Sequence, residues 1–330
     1  MTTRSFTFAI GLFTAINVLP LQGEMKMSGP QIYQGMCDAS AAAALDASLF
    51  AVANDEDNRL RVYRRDEGGL PLQTFDLTLP LGLDPRSSET DLEGAATIGD
   101  QVYWIGSHGR NKDGKERLNR SIFFATTFKV RQGRVEMAVV GKPYRKLLQD
   151  FARDPALRAL NLASASRLPP KARGGLNIEG LCATPEKQLL IGFRNPTPGG
   201  RCLLIPLKNP QELVLGRPAK FGALVLLDLE GLGIRDIGFN EGKYWIVAGH
   251  ADGSGHSKLF TWAGGTAKPE RVEHFSLKGL NPEAIVFYPD KGLGEFQLLS
   301  DDGSRRKGDI PCKALKDDTA KRFRSFWITP

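Results

Sequence analysis

The sequence predicts an all-β fold. Short apolar runs of strand length alternate with turns rich in Gly, Asp, Asn and Pro, a pattern typical of strands joined by tight connections. The 330 residues include 36 Gly and 20 Pro, which is enough for many such turns. Hydrophobic residues make up 41% of the chain and charged residues 25%, so the composition is that of a globular protein with a sizeable core.

One sequence pattern occurs five times along the chain. An acidic residue opens an apolar run, a polar turn follows, and a second apolar run ends in a polar residue. The pattern is clearest at Leu176 to Leu181, which is followed by Gln188 to Asn195. The acidic residues of the five copies are Asp38, Glu93, Glu179, Asp236 and Glu283.

Further strand-like runs follow each copy and give about four strands per unit. Units of four short strands, repeated every ~40–50 residues or more, are the signature of the blades of a β-propeller. We therefore predict a propeller of five blades, closed by pairing between residues 31–35 and 326–329. A sixth, degenerate blade within residues 60–90 or 125–175 is an alternative, and an irregular β-sandwich is another.

The chain outside the repeats predicts two further features. Leu147, Leu148 and Phe151 follow each other at helical spacing, so we expect a short helical insertion around residues 143–165.

The apolar stretch from Ser5 to Leu21 resembles a secretory signal, so residues 1–24 are predicted to be a signal peptide and residues 28–330 a single propeller domain. Export to the periplasm or the medium follows. Translation from Met25 or Met27 is the alternative and would leave the protein in the cytoplasm.

The charge and the cysteines limit the partners. The net charge is +7, and the basic residues gather in turns, which fits either solvated turns or a small anionic substrate. No basic helix and no aromatic–basic signature is present, so we exclude nucleic acid. The mature chain has no apolar stretch long enough to span a membrane, and we expect a monomer.

The four cysteines are not at metal-ligand spacing and leave three pairings open, with buried free thiols as the alternative.

The repeated acidic residues predict a metal site. The inner strands of a propeller line its central channel, so Asp38, Glu93, Glu179, Asp236 and Glu283 are expected to form a ring. A ring of carboxylates requires protons or cations for compensation, and Ca²⁺ or another divalent cation takes oxygen ligands. The alternative is structural, with each carboxylate accepting a hydrogen bond from a backbone N–H of the next blade.

A second repeat position follows the second apolar run. It carries Asp55, His108, Arg194, His250 and Asp301, and includes two of the four histidines. Neighbouring polar residues that complete a candidate pocket are Arg110, Asn111 and Asn195. We expect His108 and His250 to act as acid or base and Arg194 to hold an anionic group. The sequence has no serine nucleophile elbow, P-loop or HExxH motif.

Several of these motifs resemble a known family. They are Met36-Cys37-Asp38-Ala39-Ser40, Asp91-Leu92-Glu93-Gly94, Ile105-Gly106-Ser107-His108-Gly109-Arg110-Asn111, Asn177-Ile178-Glu179-Gly180, Gly192-Phe193-Arg194-Asn195-Pro196 and Asn281-Pro282-Glu283-Ala284. Together they resemble a bacterial β-propeller family of unknown function, over about residues 30–330. That family is similar in pattern to esterase-like, phytase-type propellers. The resemblance implies a β-propeller but no established catalytic role. The looser similarity to phytase-like and lactonase-type propellers implies a divalent cation and ester hydrolysis.

Two functions are consistent with the sequence. The first is a metal-assisted hydrolase that acts on a phosphate ester, another ester or a lactone. The second is a non-catalytic propeller that binds a ligand or a protein through the same polar ring.

Overall fold

A computed structural model describes residues 24–86, 89–292 and 294–330. The predicted signal segment lies outside these residues. The strands are β1 (Lys26–Gln34), β2 (Ala39–Ala44), β3 (Leu49–Asn54), β4 (Arg59–Arg64), β5 (Gln73–Asp76), β6 (Leu92–Ile98), β7 (Gln101–Gly106), β8 (Phe123–Arg131), β9 (Arg134–Tyr144), β10 (Asn177–Ala183), β11 (Leu189–Asn195), β12 (Cys202–Leu207), β13 (Val225–Leu227), β14 (Gly233–Asn240), β15 (Lys243–Gly249), β16 (Lys258–Trp262), β17 (Glu270–Arg271), β18 (Pro282–Val286), β19 (Phe296–Ser300), β20 (Arg306–Lys307), β21 (Ile310–Pro311) and β22 (Arg322–Thr329).

Helices occupy little of the structure. The α-helices are α1 (Leu147–Arg153), α2 (Leu162–Ala165) and α3 (Pro210–Leu213). Short 3₁₀ turns occur at Leu118–Arg120, Arg158–Leu160, Pro198–Gly200, Cys312–Ala314 and Asp318–Ala320. No helix in the described part of the chain is long and apolar enough to cross a bilayer.

Five four-stranded antiparallel sheets form the blades of a β-propeller. Their strand orders, from the inside outwards, are β2-β3-β4-β5, β6-β7-β8-β9, β10-β11-β12-β13, β14-β15-β16-β17 and β18-β19-β22-β1. The inner strands contact each other in sequence around the ring, and β18 returns to β2. The prediction of five blades is confirmed, and the described residues form no sixth blade.

The fifth blade closes the ring with strands from both ends of the described chain. β1 pairs with β22, with Gln31 opposite Ser325 and Lys26 opposite Thr329. Tyr33 on β1 lies between Phe50 and Phe323, so the closure has its own aromatic core. The two ends therefore pair as predicted but in a different register, because residues 31–34 lie opposite 322–325 and residues 26–28 lie opposite 327–329.

The apolar core is divided among the blade interfaces. Each of five buried clusters fills the space between two neighbouring blades. The predicted helical insertion is confirmed. It places Leu147, Phe151 and Leu162 against the interface of the second and third blades.

The Glu-Gly sequence of the third repeat has a packing reason. A Cβ atom on Gly180 would lie 2.7 Å from Cγ2 of Ile234 on the next inner strand. The inner strands of neighbouring blades therefore approach too closely there for any side chain at this position.

Candidate functional site

A β-bulge begins the inner strand of every blade. The antiparallel register between the first and second strands skips one inner-strand residue at equivalent places. The skipped residues are Ser40, Glu93, Glu179, Arg235 and Glu283. Bulges commonly re-aim a side chain next to a functional site. These five residues, named the bulge ring here, occupy one end of the propeller.

The bulge ring differs from the predicted carboxylate ring in two blades. Arg235 takes the position predicted for Asp236, and Ser40 takes the position predicted for Asp38. Asp236 lies one residue further along β14, where its Oδ2 accepts a hydrogen bond from the backbone N–H of Ile285 at 2.6 Å. Asp236 therefore joins the fourth blade to the fifth, as in the structural alternative.

A second set of polar residues lies two positions before the bulge ring. In the third and fifth blades this position is Asn177 or Asn281, and each donates its amide to the glutamate of its own blade. In the first and second blades the position is Asp38 or Asp91. An ionised carboxylate has no hydrogen to donate to the bulge-ring residue two positions on, so carboxyl groups accumulate on that side of the channel without such a bond.

Five carboxylates meet on this side. Oxygen atoms of Asp38, Asp55 and Glu56 lie within 4.8 Å of one another, and so do oxygen atoms of Asp55, Asp91 and Glu93. Asp55 belongs to both groups. These five residues are named the acidic cluster. A set of carboxylate oxygens at such distances is the ligand type that Ca²⁺ and Mg²⁺ prefer.

Basic residues compensate only part of the acidic cluster. Lys313 lies 2.6 Å from Glu56, and Arg120 lies 2.7 Å from Asp91. Asp38, Asp55 and Glu93 form no salt bridge with any described residue. Asp55 Oδ1 is also buried without a hydrogen-bond partner in the described structure. The acidic cluster therefore carries more negative charge than its surroundings balance.

The protonation of the acidic cluster reflects this imbalance. Burial, together with the neighbouring Asp301 and Glu56, raises the pKa of Asp38 to about 8. Burial and adjacent carboxylates hold the pKa values of Asp55 and Glu93 well above their usual range. Burial also raises the pKa of Asp91 to about 6, against the opposing effect of Arg120. Without a cation, the cluster retains protons near neutral pH.

This protonation predicts an unusual pH dependence of stability. Above about pH 6.5 the carboxyl groups of the unfolded chain are ionised, whereas Asp38 in the folded state keeps its proton until about pH 8. The folded state therefore binds more protons, and the free energy of unfolding falls as pH rises, by up to about 1.4 kcal/mol per pH unit for each such group. Chemical unfolding in chelator between about pH 6.5 and 8 measures this slope.

Asp38→Asn provides the control for the pH dependence. The amide cannot ionise, so the variant is expected to lose stability less steeply over the same pH range. His108 opposes this trend near pH 6.5, because its pKa is about 6.5 in the unfolded chain and burial lowers it to about 4 in the folded protein. This contribution fades as pH approaches 8, and it is the same in the wild type and in Asp38→Asn. A stability that stays flat or rises between pH 6.5 and 8 would contradict the raised pKa values.

The opposite side of the channel end carries two arginine–glutamate pairs. Arg194 Nη1 lies 2.6 Å from Glu179 Oε1, and Arg194 Nε donates to the backbone carbonyl of His250 at 2.9 Å. Arg235 pairs with Glu283, and its Nε lies 4.0 Å from Glu179 Oε2. Burial and the nearby Arg194 lower the pKa of Arg235 to about 10. Glu179 Oε2 and Arg235 Nε are buried and lack hydrogen-bond partners among the described residues.

The two candidate catalytic histidines lie in different environments. His108 is buried, and its Nδ1 is 2.8 Å from the carbonyl oxygen of Gly106, so Nδ1 carries the proton and donates. Its Nε2 is buried without a described partner, and burial lowers the pKa of the ring to about 4. His250 has an exposed side chain, and its backbone carbonyl is the group that contacts Arg194.

The remaining candidate pocket residues mostly organise loops. Asn111 Oδ1 accepts backbone hydrogen bonds from Asp113 and Lys115, and Arg110 Nη1 donates to the carbonyl of Gly114. Asn195 Nδ2 donates to the carbonyls of Pro170 and Ala172. Asp301 lies beside Asp38 and accepts from Asn281 Nδ2 and from the backbone N–H of Gly303.

The structure adds residues that the sequence-based list lacks. Glu56 and Asp91 belong to the acidic cluster, Lys313 and Arg120 pair with them, and Arg235 pairs with Glu283 across the channel end. A sequence signal existed for Asp91, because Asp91-Leu92-Glu93-Gly94 aligns with Asp38-Ala39-Ser40-Ala41 when the acidic first residues are matched. Nothing in the repeat pattern identifies Lys313, which comes from the loop between β21 and β22.

A disulfide bond lies next to the acidic cluster. Cys37 and Cys312 are joined, whereas Cys182 and Cys202 are buried free thiols. Asp38 follows Cys37 in the chain, and Lys313 follows Cys312. The bond therefore fixes the loop that supplies Lys313 to the start of the first blade. A structural disulfide fits a protein of an oxidising compartment.

Several solved structures resemble this chain at low sequence identity. The PQQ-bound aldose sugar dehydrogenase of Streptomyces coelicolor superposes with a TM-score of 0.46 at 12% identity, covering 94% of this chain and 99% of that chain. A luciferin-regenerating enzyme gives a TM-score of 0.44 at 7% identity and covers 92% of this chain and 96% of that chain. A Trypanosoma rangeli sialidase gives 0.39 at 13% identity, over 80% of this chain and 42% of that chain. Nothing about activity follows from likenesses this distant.

The sequence comparison gives a family without an activity. No curated protein matches the chain. Residues 129–285 match a family described as "Protein of unknown function (DUF3616)". These residues run from the second blade into the fifth. The predicted resemblance to a β-propeller family of unknown function is thereby confirmed for residues 129–285.

Proposed function

We propose that this protein is a hydrolase, dependent on a divalent cation, that acts on a phosphate ester, another ester or a lactone. The observation that carries the proposal is the acidic cluster, in which three of five carboxylates have no basic partner in the described structure. The residues fit a hard cation, because all offer carboxylate oxygens and Asp55 Oδ1 is buried and unpartnered.

The chemistry divides between the two sides of the channel end. Asp38, Asp55, Glu56, Asp91 and Glu93 would hold the cation. A bound divalent cation polarises a carbonyl or phosphoryl oxygen and lowers the pKa of a bound water. Asp301 lies beside Asp38, and burial raises the pKa of its carboxyl group, so it is placed to accept a proton from water. Arg194 and Arg235 face the negative charge that develops during ester hydrolysis.

The two histidines stay predictions as acid–base residues. The buried Nε2 of His108 has a free lone pair that can accept a proton. The low pKa of its ring keeps it neutral at physiological pH and also makes it a weak base. His250 is exposed, and its backbone carbonyl contacts Arg194, so its ring is proposed to act beside that arginine. Single His108→Gln and His250→Gln variants separate these roles from that of Arg194.

Export is part of the proposal. The Cys37–Cys312 disulfide supports a periplasmic or secreted protein, because structural disulfides persist in oxidising compartments. Extracellular millimolar calcium would also match a site of moderate affinity.

A panel of phosphate monoester, carboxylic ester and lactone substrates tests the proposed activity. Purified protein is assayed after chelation and again after calcium or magnesium is restored. We expect turnover of at least one class that chelation abolishes and the cation restores. Asp55→Asn should lose turnover by about 100-fold, because Asp55 is a proposed ligand and the loss of residues that only support a ligand already costs about 10–100-fold. Cation binding without turnover of any class would instead favour the non-catalytic, ligand-binding propeller.

A further inference from the structure

We infer that Arg194 and Lys171 form an oxyanion-binding subsite at the rim of the channel, which takes a carboxylate or phosphate group of the substrate. This inference rests on the proposed function for its role in catalysis. The binding of a free oxyanion can be measured without it.

Arg194 presents a partly unused guanidinium group. Its Nη1 binds Glu179 and its Nε binds the carbonyl of His250, which fixes the plane of the group. Its Nη2 donates to no described residue, although the side chain as a whole is only 6% exposed. An arginine that is held in place on one side can bind an oxyanion with its remaining N–H groups at little entropic cost.

Lys171 is the second cation, and its backbone is held from both sides. Asn195 Nδ2 donates to the carbonyl of Pro170 at 2.8 Å and to that of Ala172 at 2.7 Å. The Lys171 side chain is exposed and forms no salt bridge with the described residues. This assigns a positioning role to Asn195, which the sequence singled out as a pocket residue.

Gly253 shows that the two cations face the same space. A Cβ atom on this residue would lie 3.2 Å from Lys171 Nζ and 3.4 Å from Arg194 Nη2. Because Gly253 has no side chain, that space is open. Asp252 is the acidic neighbour on the same loop and acts electrostatically on Arg194, but its Oδ1 accepts the backbone N–H of Ser254. Glu179 and Asp252 balance the two cations in formal charge, but Glu179 binds Arg194 through Nη1 and Asp252 accepts from Ser254. Arg194 Nη2 and Lys171 Nζ therefore remain as the donors that face this space.

The position of this subsite restricts the substrate. Arg194 also binds Glu179, which acts electrostatically on Glu93 of the acidic cluster. The subsite and the proposed cation site therefore lie across the same channel end. A substrate that reaches both would be an ester or lactone that carries a separate anionic group.

Inorganic phosphate and sulfate serve as probes in calorimetric titrations. Chelator-treated protein is used, with chloride at matched ionic strength as the reference. We expect saturable binding of both oxyanions to the wild-type protein. Lys171→Gln should weaken binding about tenfold, which is the loss of one charge-assisted hydrogen bond. Lys268→Gln, which removes an exposed lysine elsewhere, should leave binding unchanged.

A pair of glycine variants tests the geometry of the subsite. Gly253→Ala adds a methyl group between the two cations and should weaken oxyanion binding. Gly242→Ala has nearly the same backbone strain, with φ of +80° compared with +81°, but its new methyl group meets nothing within 4 Å. It should bind as the wild type does. Equal losses in both variants, or no saturable oxyanion binding to the wild type, would overturn the inference.

Calcium distinguishes failure of this subsite from failure of the proposed function. Lys171→Gln should keep the full thermal stabilisation by calcium, because Lys171 is not part of the acidic cluster. If the wild type binds calcium but no oxyanion, only the subsite is overturned. If it binds oxyanions but no calcium, the subsite stands and the metal-dependent hydrolase does not.

Discussion

Asp55→Asn should stabilise the cation-free protein and remove its response to calcium. Asp55 lies in both halves of the acidic cluster, and burial, together with Asp38, Asp301 and Asp91, holds its pKa well above the usual range. At pH 7.5 the folded protein therefore keeps a proton on this group that the unfolded chain has lost, which costs stability. An amide removes this cost, and we expect a gain on the order of 1–3 kcal/mol. The wild type should gain about 2.7 kcal/mol from calcium at 100 times its Kd, and the variant almost none.

Thermal unfolding with chelator and with calcium measures both effects. Glu186→Gln is the matched control, since it makes the same charge change at an exposed turn away from the cluster. It should leave both melting temperatures near those of the wild type. An Asp55→Asn protein that is less stable than the wild type in chelator would mean that Asp55 has a structural role. An unchanged calcium response would remove Asp55 from the cation site.

The Cys37→Ser/Cys312→Ser double variant should lose stability by about 2–5 kcal/mol. The two cysteines are 275 residues apart, so the bond restricts a long loop in the unfolded chain. The stabilisation by calcium should also decrease. Without the bond, the loop that carries Lys313 is no longer tied to the strand start that carries Asp38.

Cys182→Ala/Cys202→Ala provides the comparison for the disulfide. These thiols are buried and unpaired, so replacing them removes two cysteine side chains without removing a cross-link. The difference between the two double variants therefore reports the effect of the disulfide bond. Treatment of the wild type with reductant should lower its stability and calcium response to those of the double serine variant. The double alanine variant keeps the Cys37–Cys312 bond, so its calcium response should return when it is reduced and then reoxidised. A double serine variant with the melting temperature and calcium response of the wild type would contradict both parts of the prediction.

The architecture was predictable because its signal is repeated. The inner hairpin of each blade has the same apolar and turn pattern, and five copies reinforce one another. The helical insertion was predictable as well, since Leu147 and Phe151 share one face at helical spacing. These features depend on patterning along the chain, which the sequence contains directly.

The bulge ring was less predictable because it depends on strand register. Aligning the repeats on their acidic residues placed Asp236 at the position equivalent to Glu179. The strand register instead places Arg235 at that position. Matching the preceding apolar residues, Ile178 and Ile234, would have given the observed alignment. A shift of one residue turns a side chain to another face, so Asp236 contacts the next blade instead of the channel.

Side-chain partners were the least predictable part of the site. Asn111 and Asn195 have the composition of binding residues, but the structure uses them to hold loops. Lys313 reaches Glu56 from a loop more than two hundred residues away in the chain. Contacts of this kind arise from the closed ring and leave no local pattern in the sequence.

The most direct test of the cation site is a calorimetric titration of chelator-treated protein with calcium at pH 7.5, in two buffers of different ionisation enthalpy. We expect saturable binding with net release of protons, because the Asp38 carboxyl group, with its pKa of about 8, must ionise to bind a cation. Absence of saturable heat at millimolar calcium would contradict the cation site, and binding without proton release would contradict the protonated acidic cluster.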